Sequence, residues 1–149
     1  MNARIYLLCC SILIGADIFF AAVAAPAVFS RAIAGLPRDD VRRQMAADAV
    51  GTMLARLDAA TLVLCAVAAL SAFGRRAALL PLAAGLCALA SSAWVTPAIR
   101  ALRAAGETGS PRFRTLHGIS SGLVLVEIVL LAVAAWTAAG SARTTDPIR

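Results

Sequence analysis

The sequence contains no lysine: all fourteen basic positions are arginine. It has one His, one Tyr and only 5% aromatic residues. It has four cysteines but no CxxC pair, and no HxxxH or ExxH spacing. Each scarcity argues against a class of function. A net charge of +6 could suggest nucleic acid. Here the Arg residues flank apolar runs, where they anchor helix ends, and no basic patch is interleaved with aromatics. A single His rules out haem held between two His ligands. Cys9, Cys10, Cys65 and Cys87 all fall in apolar segments. There they read as small buried hydrophobes, not as the reactive surface pair that thiol chemistry needs. The absence of lysine, together with abundant Ala, reads as codon bias and carries no mechanism.

What is present is apolar length. The chain is 61% hydrophobic with a mean hydropathy of +0.85, against about 45–50% for a soluble domain. This predicts an integral membrane protein, multi-pass in the inner (plasma) membrane, with residues 1–149 forming one domain. A spanning helix needs about 20 apolar residues. Four segments qualify, over residues 5–29, 51–73, 77–99 and 113–139. The predicted fold class is all-α, a four-transmembrane-helix bundle. A short interfacial helix is expected between the first two spans, where LPRDD resembles a helix start. The segment carrying Val41, Met45 and Ala49 is either that helix or a long extension of the second span. AVAAPA near the end of the first span offers a signal-peptidase-like site. Asp17 interrupts that apolar run, which then resumes at full spanning length, so the segment is read as a retained span.

Orientation follows from arginine counting. Arg4, Arg75, Arg76, Arg143 and Arg149 fall on one side. Arg31, Arg38, Arg42, Arg43, Arg100, Arg103, Arg112 and Arg114 fall on the other. The positive-inside rule places the second set in the cytoplasm and both termini outside. Trp94 and Trp136 are expected as interfacial anchors. PAVFSRAIAG closing the first span is echoed by PAIRALRAAG closing the third. Two helix hairpins in parallel repeat, or chance in an Ala-rich chain, would both give that echo.

The informative residues are the polar ones in the oil. Asp17, Asp58, His117 and Glu127 each cost about 2.5–3.5 kcal/mol to insert, so they are expected to face the bundle interior. At about 100° per residue, Ser120, Ser121 and Glu127 lie about −60°, +40° and −80° from His117. They form one stripe about 120° wide, opposite an apolar side of Leu123, Val126 and Leu130. His117 is expected shallowest, Asp58 deeper, Asp17 and Glu127 deepest. One reading is interhelical hydrogen bonding. The other is a binding or proton-relay set of Asp17, Asp58, His117, Ser120 and Glu127. A divalent metal is an open cofactor assignment, with His117 and Asp58 as candidate ligands. Pro26 and Pro97 are expected as kinks, or as simple helix stops.

Several of these residues resemble a known group. Gly15, Phe19-Phe20 and Pro26-x-x-Phe29 at the first span, Thr96-Pro97 at the third, and Phe113-x-x-Leu116-His117-x-x-Ser120 at the fourth are similar to the transmembrane protein 205-like family. The resemblance implies a four-helix membrane domain of largely uncharacterised function. It also implies that Pro26, Phe29, Pro97, His117 and Ser120 gather at one membrane face. The chain departs from the family in having no Asn after Ser120. The expected function is a small transport or permeation component for a cation, proton or small cationic solute. The alternatives are a membrane-embedded enzyme using His117, with or without a metal, and a non-catalytic membrane partner subunit. Expected partners are the lipid bilayer and, as an open assignment, a second copy of the chain; nucleic acid is not one.

Overall fold

The computed structural model describes residues 2–37, 39–72 and 74–143, with side chains to Gly140. Arg38, Arg149, the side chain of Arg143 and the span end at Phe73 therefore lie outside the described residues. The chain is 88% helical, and no strand occurs among the described residues. Four helices are long and apolar enough to cross a membrane: Ala3–Val28, Val41–Ser71, Arg76–Ala104 and Pro111–Gly140. They are called here the first to fourth spans. Each packs against its neighbours in sequence, and the fourth closes the ring against the first. Every packed pair is thus antiparallel.

Local chemistry fixes the ends. Asp40 caps the second span, its carboxylate accepting from the Arg42 N–H at 2.9 Å. The Arg42 side chain also donates to it, which holds the Asp40 carboxyl below the usual range. A helix start at LPRDD is therefore correct within a few residues, with the cap at its last Asp. Val41, Met45 and Ala49 lie on an extension of the second span, and the short helix before it is Arg31–Ala34. Arg43 Nη1 ties the two together by donating to the Leu36 carbonyl at 2.6 Å.

The third span stops at a glycine-based cap. Gly106, at φ +73°, donates to Arg103, and Glu107 donates to Leu102. Only a residue without a Cβ takes that left-handed position readily. Ser110 then caps the fourth span by accepting from Phe113 N–H at 3.1 Å, with Pro111 at the first helical position, where no N–H is required.

One half of the bundle is dry and tightly packed. Tyr6, Cys9, Cys10 and Leu13 meet Cys65, Ala68, Ala84, Leu131 and Ala134 there. The small residues let the helices approach closely, as membrane helices require. A Cβ at Gly85 would sit 3.4 Å from the Cys65 Cβ. All four cysteines are free, and three are buried. Tyr6 completes this half by donating its hydroxyl to the Ala77 carbonyl at 2.8 Å. Trp94 and Trp136 are 75% and 81% exposed on the outside of the ring, Trp136 near the end of the fourth span and Trp94 well inside the third.

Ala84 is fully buried against this dry half. Ala84→Leu should lower stability by about 1–3 kcal/mol through overpacking. Thermal unfolding in detergent checks this, and an unchanged midpoint would mean that the helices are not in close contact there.

Candidate functional site

Three spans each bring one carboxylate inward. Asp17, Asp58 and Glu127 are 1%, 3% and 3% exposed. They are close enough to act on one another electrostatically: Glu127 feels both Asp17 and Asp58, and Asp17 feels Asp58. Among the described residues none of the three forms an ion pair. The third span contributes Ser91, whose hydroxyl donates to Asp58 Oδ2 at 3.0 Å. Thr61, one turn beyond Asp58, is also buried. Asp17 Oδ2 and Glu127 Oε1 are buried with no hydrogen-bond partner among the described residues.

On the side away from the dry half, the ring opens into a cavity of about 320 Å³. Its polar lining is Thr96, Arg100, Arg103, His117, Ser120 and Ser121. Its apolar walls include Phe20, Leu54 and Val124. In each span the carboxylate layer lies about one turn below a lining residue. Phe20 stands above Asp17, Leu54 above Asp58, Val124 above Glu127 and Thr96 above Ser91. The cavity floor therefore lies about one turn from the acidic residues, which are not themselves part of its lining.

The two prolines shape this mouth. Both spans continue through them, to Val28 and to Ala104, so neither proline is a simple stop. Each follows a widened π-turn, Phe20–Ala24 before Pro26 and Ser91–Val95 before Pro97. There the Ala25 N–H reaches back to Phe20, and the Thr96 N–H to Ser91, five residues rather than four. A wider turn relieves the clash of a proline ring with the preceding carbonyl. The echo between the first and third spans thus has a matched structural feature at the same distance from each proline.

His117 departs from the expected ladder. It is exposed at the cavity rim, its ring stacked on Phe113 with centroids 6.2 Å apart. Ser121 is exposed as well, and its hydroxyl donates back to the His117 carbonyl at 3.1 Å. Only Ser120 and Glu127 of the fourth-span stripe are buried. The stripe begins too near the helix end for His117 to be covered by its neighbours. Asp58 shares one layer with Asp17 and Glu127 and does not form a separate rung. Among the described residues no three His, Cys, Asp or Glu side chains are placed to hold a metal ion, so His117 and Asp58 belong to no such set. Ser91, Thr61 and Thr96 were not singled out as site residues. The signal for Thr61 is its spacing of three from Asp58. Ser91 and Ser92 are the hydroxyls of an otherwise apolar stretch of the third span.

A ring of four apolar helices around a buried acidic cluster defines a multi-pass integral membrane protein. The chain belongs to the family described as a domain of unknown function, DUF4149, whose sequence profile matches residues 8–108. The match takes in the first three spans, with Asp17, Asp58, Ser91 and both prolines, and ends before the fourth. No curated protein and no solved structure matches the chain.

One-sided opening is directly testable. In Ser120→Cys protein, a water-soluble thiol reagent should modify the new cysteine at least about tenfold faster than Cys9, Cys10 or Cys65, whose side chains are buried in the dry half. Equal rates at both levels would show that the cavity does not reach Ser120.

Proposed function

We propose that the protein is a small transport or permeation component that handles a proton, or a small cation, through its intramembrane acidic cluster. The observation that carries this reading is the burial together of Asp17, Asp58 and Glu127, one turn beneath an open cavity, with no ion pair to any of them among the described residues. Three ionised carboxylates in so dry a place repel one another and lack solvation. A proton or a mobile cation has to compensate that charge. The lack of a three-ligand metal set among the described residues favours the proton over a resident divalent ion.

In this reading Ser120 and His117 line the entry, Ser91 orients Asp58, and Asp17 and Glu127 present the free oxygens. The dry half is the closed side. The arginine bias supports an inner-membrane orientation with the cavity facing the cytoplasm and both termini outside. The Pro26-x-x-Phe29, Thr96-Pro97 and Phe113-x-x-Leu116-His117-x-x-Ser120 patterns support placement among the transmembrane protein 205-like proteins. The last of these lies beyond the matched stretch. A membrane-embedded enzyme using His117 is the second reading, supported by the exposure of that ring on the wall of a cavity with apolar sides.

Glu127→Gln and Asp17→Asn should each reduce proton flux into proteoliposomes carrying a pH-sensitive dye by about tenfold or more, with the helical content unchanged. His117→Ala should slow entry but not abolish it. Full flux in a folded Glu127→Gln protein would refute the relay, and loss of activity confined to His117→Ala would favour the enzyme.

A further inference from the structure

The acidic cluster leaves the chemistry of the mouth unexplained. Two arginines and three hydroxyls line the cavity. A proton path needs hydroxyls or water there but has no use for guanidinium groups. We propose that the mouth is a binding site for an anionic phospholipid, its phosphodiester head held by Arg100, Arg103 and Thr96 and its chains leaving along the apolar walls. This inference is independent of the proton reading.

Three features support it. First, Thr96 is 8% exposed, lines the cavity, and its Oγ1 has no hydrogen-bond partner among the described residues. A buried hydroxyl left unpaired is costly, and buried polar groups in folded proteins are nearly always partnered. Second, Arg100 and Arg103 stand one turn apart on the third span, and both are held against the second. Arg100 Nη2 reaches the Gly51 carbonyl at 3.5 Å, and Arg103 Nη1 the Ala47 carbonyl at 2.9 Å. Arg103 also lies over the Phe113 ring, 6.0 Å from its centroid. Each guanidinium has five N–H donors, so most remain available for phosphate oxygens. Asp48, the one acid acting on Arg103, is exposed on the second span and is not part of the lining. The lining contains no carboxylate.

Third, the remaining walls are greasy. Phe20, Val50, Leu54, Ile99 and Val124 surround the polar end. The volume falls at the lower end of the roughly 300–1,000 Å³ typical of ligand pockets. A free phosphate would leave those walls without a partner, whereas the glycerol and upper acyl segments of a lipid would cover them. The cavity lies where the cationic ends of the spans meet the apolar ring, the depth at which a phospholipid already sits.

The test uses the full chain in detergent, titrated with phosphatidylglycerol or phosphatidylcholine and read by native mass spectrometry. Phosphatidylglycerol should be retained about tenfold more tightly than phosphatidylcholine. Arg100→Gln should lower that retention about tenfold, and Thr96→Val several-fold. Arg114→Gln, which removes the same charge from an exposed position outside the lining, should leave it unchanged. Thr96→Val should also raise the melting point of the lipid-free protein, because it removes an unpaired hydroxyl, and a purely structural role would lower it. Equal retention of the two lipids would overturn the assignment. So would an Arg114→Gln loss as large as that of Arg100→Gln, which would mean diffuse attraction. Displacement of phosphatidylglycerol by an equal concentration of inorganic phosphate would identify a simple anion site and overturn the lipid.

Discussion

Three carboxylates from three helices are buried within electrostatic reach of one another, with no ion pair to any of them among the described residues, and the rest of the bundle is arranged around that fact. Acidic side chains are expensive in hydrocarbon. They are worse together, because like charges in a low-dielectric space raise each other's energy. Packing alone does not account for such a layer. Ser91 satisfies one oxygen of Asp58, but Asp17 Oδ2 and Glu127 Oε1 are left without a donor. Those two atoms give the layer its chemistry.

The packing on either side of the layer differs sharply. Below it, alanines, cysteines and Tyr6 fill the space so closely that Gly85 and Cys65 nearly touch. Above it, two π-turns and two prolines widen the first and third spans, and the ring opens into a cavity lined by arginine and hydroxyl groups. Helices with irregular turns beside a cavity are tolerated in membranes because protein or water satisfies the disturbed backbone. The first and third spans carry the same irregularity at the same distance from a proline. Both π-turns lie on the cavity side of the acidic residues, where Phe20, Ala21 and Thr96 line the opening.

Much of this is legible in the sequence. Hydropathy located the four spans, and the inward placement of Asp17, Asp58 and Glu127 followed from the cost of exposing them to lipid. His117 illustrates where that reasoning runs out. Periodicity assigns a face but not a depth, and His117 is near enough to the helix end to stand at an open rim. Of the two sequence readings of the segment carrying Val41, Met45 and Ala49, the extension of the second span holds: Val41–Val50 is polar yet continues the same helix from the Asp40 cap. The π-turns have no simple pattern apart from the proline that follows each of them. Ser91 and Thr96 were overlooked because hydroxyl groups are common in spans, and only three-dimensional neighbours reveal which ones are used.

The interaction between Asp17 and Glu127 can be measured directly by a double-mutant cycle of Asp17→Asn and Glu127→Gln, followed by reversible unfolding in mixed micelles. If the two groups share one poorly solvated compartment, each single substitution raises stability, and the double substitution gains less than the two effects combined. The deficit should be about 0.5–3 kcal/mol. Strict additivity, with no interaction between the two positions, would contradict a common acidic layer.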